Sequence, residues 1–179
     1  MLTIENSMLV VIDIQESLAR VMHGKDALLE NLQKIIKGAG ILDIPMIVTE
    51  QVPEKLGVTI PEISPLLDTV SPISKSSFSC CGEDLFMREL EGMKRGQILV
   101  AGIESHVCVY QTTVDLIRMG YEVHIVTDCI SSRTAENKAL GIERMKDEGA
   151  KPTSTEMALF ELLKIAGGDR FREISRLVK

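Results

Sequence analysis

Three residues far apart in the chain have the types that covalent hydrolysis requires. Asp13 closes an otherwise apolar run, residues 8–13 (MLVVID). A carboxylate there gives up hydration and needs compensation. In open α/β sheets the ligand crevice lies beyond the carboxyl ends of the strands, where this acid would sit. The competing reading is an N-cap for a helix starting near Glu16. Cys108 lies in Val100-Ala-Gly-Ile-Glu-Ser-His-Val-Cys-Val109, where a strand runs through Gly102 into a turn and a helix starts at Ser105 or His106. A thiol in that first turn is expected to be drawn toward thiolate by the helix N-terminus, beside N–H groups able to receive an oxyanion. The competing reading is a small, inert core side chain. Lys75, in Pro72-Ile-Ser-Lys-Ser-Ser-Phe78, is a lone cation after a weak strand. Surface solvation is the ordinary fate of a lysine; stabilising a nearby carboxylate and thiolate is the alternative. Gathered in one crevice, the three would let Asp13 take the thiol proton, Cys108 attack an electrophilic carbon, and Lys75 tune the carboxylate and help hold substrate.

Positioning them requires a sheet whose strands end on the same side. Short β-branched runs alternate with longer stretches of helical period, the pattern of a parallel sheet covered by helices on both faces. Strands are expected at 8–13, 46–49, 97–101 and 122–127, with weaker ones near 70–74 and 150–153. The strong runs are continuously apolar, as strands buried on both faces should be. Helices are expected over 26–39, from about 107 to 117, over 134–148, and from a capping-box pattern at Thr153-Ser-Thr-Glu156 onward, with one more helical segment at 171–178. Residues 51–79 hold four of the six prolines and no long period; long loops of this kind are usually functional. The expected architecture is a single α/β domain over 1–179, a three-layer α/β/α sandwich.

Composition narrows the function classes. A chain of 179 residues, 45% hydrophobic, buries enough surface for one core without a structural metal or disulfides. Twenty Lys and Arg against 26 Asp and Glu give a net charge of −6, and the chain has no Trp and six Phe and Tyr. A nucleic-acid or anionic-membrane partner is therefore not expected. The longest nearly apolar stretch is far shorter than the roughly 20 residues of a membrane span. The N-terminus does not read as a secretory signal, and four cysteines at 80, 81, 108 and 129 do not form a disulfide framework; a cytoplasmic location is expected. His23, His106 and His124 lack the spacing of a zinc site.

With these residues in place, the chain resembles the isochorismatase-like cysteine hydrolases over nearly its whole length. The resemblance rests on Asp13-Ile-Gln15, on Lys75, and on Gly102-Ile-Glu-Ser-His-Val-Cys108-Val109, in that order. It implies a Rossmann-like, six-stranded, mostly parallel sheet of order 3-2-1-4-5-6, placing Asp13 near Cys108. It also implies a cis peptide between Ile103 and Glu104, and an oxyanion hole made of the Glu104 and Cys108 backbone N–H groups. Thr49-Glu-Gln51 and Leu56-Gly57 are most similar to isochorismatase-domain-containing proteins of unassigned substrate. The nicotinamidase branch carries an Asp/His/His metal site after the second strand; residues 50–64 contain no His or Asp, so neither a metal nor a cofactor is expected.

The reading is a metal-independent cysteine hydrolase cutting an amide, carbamoyl or related C–N or C–O bond of a small molecule. Gln51, Leu56, Phe78 and Val109 are expected to line the pocket, from their nearness to the catalytic positions. The family's habit implies a homo-oligomer, a dimer or larger. The alternative is a redox-sensing or small-molecule-binding protein that uses the same low-pKa thiol without turnover.

Overall fold

The computed structural model describes residues 1–67 and 69–179. In chain order its elements are β1 (Ser7–Ile12), α1 (Glu16–Ala19), α2 (Lys25–Ile41), β2 (Met46–Gln51), α3 (Pro53–Leu56), β3 (Ile73–Lys75), α4 (Asp84–Gly92), β4 (Gln97–Ile103), α5 (Cys108–Arg118), β5 (Glu122–Ser131), α6 (Ala135–Asp147), β6 (Lys151–Thr153), α7 (Thr155–Leu163) and α8 (Gly168–Leu177). The six strands form one sheet of order β3-β2-β1-β4-β5-β6, and every pairing in it is parallel.

The continuous apolar runs are explained by the layers. Every residue of β1 and β4 is buried, because side chains alternate between two covered faces. Leu9 and Val11 pack with Leu32, Ile35, Ile36 and Leu159 from α2 and α7. Met8, Val10 and Ile12 pack with Phe86, Leu90, Leu116 and Met145 from α4, α5 and α6.

Two sequence expectations need correction. Helix α4 was not expected, since its nine residues carry too short an apolar pattern. Phe86 and Leu90, one turn apart, are fully buried, and at about 1.5–3 kcal/mol each their burial outweighs weak local preference. The last capping pattern is also shifted by one residue: Ser154, not Thr153, caps α7, its hydroxyl accepting from Met157 N–H at 3.2 Å.

Candidate active site

The strand order decides which residues meet. Lys75 ends β3 and is in register with Gln51 at the end of β2; Thr49 of β2 is in register with Ile12 at the end of β1; Ile12 is in register with Gly102 of β4. At Gly102, φ is +127° and a Cβ would stand 2.2 Å from the Ile12 carbonyl oxygen. Only glycine permits this approach, and it carries the chain toward Glu104 and Cys108 alongside Asp13. A second close contact holds that turn from behind: a Cβ on Gly141 of α6 would be 2.7 Å from the Ser105 backbone.

Asp13 follows β1 with φ +55°, a left-handed conformation that aspartate tolerates better than most residues. The N-cap of α1 is Gln15, so Asp13 is not a helix cap. Its N–H donates to the Thr49 carbonyl at 3.1 Å, and its Oδ1 accepts from the Thr49 hydroxyl at 2.8 Å. Oδ2 lies 2.8 Å from Lys75 Nζ, with both side chains fully buried. Yet Oδ2 accepts no aligned hydrogen bond. The ammonium has three protons, and three other acceptors surround it: Gln51 Oε1 at 2.5 Å, Ser77 O at 3.1 Å and Phe78 O at 3.1 Å. Oδ2 thus receives charge from Lys75 without an aligned hydrogen bond.

Cys108 is the first residue of α5, later than the expected start at Ser105 or His106, because residues 104–107 form a turn in which Val107 N–H donates to Glu104 O at 3.0 Å. Its thiol interacts with Asp13, and Lys75 and Cys80 are within electrostatic reach. The expectation of a low-pKa thiol is overturned. Burial first, and then the negative charge of Asp13, push Cys108 up to about 12 despite the opposing pull of Lys75. Such a thiol rests protonated and needs a base to become a nucleophile. For Lys75, burial alone would lower the pKa, but the negative charge of Asp13 raises it, so the ammonium stays charged.

The peptide between Ile103 and Glu104 is cis. Among the described residues, neither the Glu104 nor the Cys108 N–H donates to a protein acceptor. The Glu104 carboxylate accepts from Arg133 N–H at 3.1 Å and Nε at 3.2 Å, tying this turn to the end of β5. Ser105 Oγ lies 2.6 Å from Ser132 Oγ, which lies 3.0 Å from His106 Nδ1. His106 therefore serves a hydrogen-bond network, as does His124, 2.7 Å from Glu122.

The residues expected to line a pocket take different places. Gln51 spends its amide on Lys75 and, through Nε2, on Ser76 O at 2.8 Å, so it supports the ion pair. Val109 is fully buried in the core. Leu56 is half-buried, whereas Phe78 is 55% exposed and its carbonyl touches Lys75.

Sequence reasoning missed Thr49 and understated Gln15. Gln15 is fully buried; its Oε1 accepts from Gln51 N–H at 2.7 Å, and its Nε2 donates to Gln51 O at 2.9 Å and Gly57 O at 2.6 Å. This fastens the end of β2 to the chain leaving β1. The available signal was a polar residue at the carboxyl end of each apolar strand. Cys80, next to the weak strand, is fully buried with its sulfur 3.7 Å from Thr49 Oγ1. Among the described residues, no group of three or more His, Cys, Asp and Glu side chains is arranged to hold a metal ion, and no helix is long and apolar enough to cross a membrane.

Comparison with known proteins agrees with this frame. The isochorismatase domain family matches residues 7–157. A secreted isochorismatase effector, Isc1, of Phytophthora sojae is 36% identical over 178 residues, covering 97% of this chain and 85% of its own. Isochorismatase domain-containing protein 2A of Mus musculus is 32% identical over 176 residues, covering 98% and 84%. A solved structure described as the MAR1 ribonuclease of Caenorhabditis elegans superimposes with a TM-score of 0.93 at 34% identity, covering 99% of this chain and 91% of that one. YcaC of Pseudomonas aeruginosa, solved with a covalent acrylamide, shares the fold, with a TM-score of 0.92 at 20% identity and coverage of 97% and 89%. A family match over most of the chain and relatives above 30% identity along nearly all of it lead to one conclusion: this chain belongs to the isochorismatase family.

Proposed function

We propose that this chain is a cysteine hydrolase that works without a metal ion, through residues of one domain spanning 1–179, on an amide, carbamoyl or related bond of a small molecule. The observation that carries the reading is the buried Asp13–Lys75 pair, whose carboxylate interacts with a protonated Cys108 thiol. The Lys75 ammonium lies 2.8 Å from the Asp13 carboxylate. Asp13 takes the proton as the Cys108 sulfur bonds to the substrate carbonyl carbon. The carbonyl oxygen becomes an oxyanion facing the Glu104 and Cys108 N–H groups, which have no other partner among the described residues. As the C–N or C–O bond breaks, Asp13 returns that proton to the leaving group. Water, deprotonated by Asp13, then attacks the thioester; the C–S bond breaks, the acid leaves and the thiol is restored.

Four free cysteines fit a reducing compartment, and we place the protein in the cytoplasm as a homo-oligomer; the YcaC product of Escherichia coli, of the same fold, is described as octameric.

The test is a panel of small amides, ureas and esters hydrolysed by wild type and Cys108→Ala in parallel, with an RNA arm because one solved relative is described as a ribonuclease. Hydrolysis of a panel member that disappears in the variant is expected. Activity surviving Cys108→Ala, or RNA cleavage alone, overturns the reading.

A further inference from the structure

Asp13 has two carboxylate oxygens with different surroundings, and the difference originates in Thr49. The Thr49 hydroxyl faces Asp13 Oδ1 at 2.8 Å and Cys80 Sγ at 3.7 Å. An ionised carboxylate only accepts, so the hydroxyl hydrogen points to Oδ1. The hydroxyl oxygen then faces the Cys80 thiol as acceptor. Cys80 can only donate there, because burial, outweighing Lys75, pushes its thiol up to about 11 and keeps it protonated. Its N–H is in turn held by Thr112 Oγ1 at 2.9 Å, one turn along α5 from Cys108. The result is a directed, buried chain: Cys80 S–H to Thr49 O–H to Asp13 Oδ1.

We propose that Thr49 is a positioning residue for the Asp13 base, its hydroxyl fixing Oδ1 so that Oδ2, relieved of any other aligned donor, presents its free direction to the Cys108 proton. The inference rests on the hydrolase reading above. A threonine at the end of a buried strand would otherwise be replaceable by valine of equal shape. In this site that exchange removes the donor that orients the carboxylate, and it leaves Cys80 facing a methyl group.

The test reads the thiol directly and needs no substrate. Wild type, Thr49→Val and Thr49→Ser are treated with iodoacetamide from pH 5 to 9, and the Cys108 alkylation rate is followed by peptide mass spectrometry. A lost hydrogen bond to a charged group predicts about a 10-fold slower rate for Thr49→Val at pH 7. Thr49→Ser restores the rate to within about two-fold. Thr49→Ala gives the same readout should the valine variant not fold. A wild-type profile in Thr49→Val, or equal slowing in Thr49→Ser, overturns the proposal, since the first denies the hydroxyl any role and the second assigns the effect to packing. These results leave the nucleophile assignment standing; wild-type protein that does not alkylate at Cys108 overturns that assignment, and the proposal with it.

Discussion

Replacing Lys75 by methionine keeps the length and apolar stem of the side chain and deletes its charge. Lys75 and Asp13 are both fully buried and 2.8 Å apart, so the variant leaves a carboxylate in the interior without its neighbouring cation. Gln51 Oε1, Ser77 O and Phe78 O lose their donor at the same time. Removing one partner of a buried pair costs about 3–5 kcal/mol. For a domain of this length each kcal/mol moves the melting temperature by about 2–4 °C, so a fall of about 6–20 °C is expected. The double variant Asp13→Asn, Lys75→Met removes the orphaned charge. It should melt above Lys75→Met, although it carries one substitution more. Melting curves of wild type, the two single variants and the double variant, with circular dichroism at pH 7, give the coupling directly. A Lys75→Met shift below about 3 °C, in the range of a surface pair, or a double variant whose loss is the plain sum of the singles, would refute the buried-pair reasoning. If the reasoning holds, the pair is a stability liability that apolar packing could replace, and its presence in the core is explained by chemistry.

Three further outcomes are expected. Gly102→Ala places a methyl 2.2 Å from the Ile12 carbonyl oxygen at a φ of +127°; it should unfold the protein or lower its urea midpoint sharply, and near-wild-type stability would refute the assigned β1–β4 approach. Gln51→Leu should lose about 1–3 kcal/mol of stability, because Lys75 loses an acceptor and Ser76 O a donor; a raised KM with unchanged unfolding would show instead that Gln51 binds substrate. Glu122 is pulled down to about 2, chiefly by its hydrogen bond with His124 and then by Lys151. Its contribution to stability is present above the ordinary carboxylate range and lost as the pH falls toward 2. Urea titrations at pH 6 and pH 2.5 should therefore show Glu122→Gln weaker than wild type at the higher pH and closer to it at the lower.

The candidate site residues and the sheet that carries them were legible in the linear chain, because both are short-range signals. Apolar runs such as MLVVID and QILVA mark strands covered on both faces, and a lone acid, amine or thiol after a run stands out against them. Thr49 was not legible: a threonine within MIVTEQ is an ordinary strand residue until β2 is set beside β1 in register with Ile12. Helix α4 was missed for the same reason, since what stabilises it is the core that Phe86 and Leu90 enter.

The state of the thiol shows where sequence reasoning stops. Position at a helix start argues for a lowered pKa, whereas burial and the neighbouring Asp13 set it high. Residue identity and spacing decided what the chain could do and in which layers it would fold. Which lone pair stays free, which proton stays on sulfur and which glutamine holds the lysine were decided by tertiary contact, because desolvation and charge act through distances that only the strand order sets.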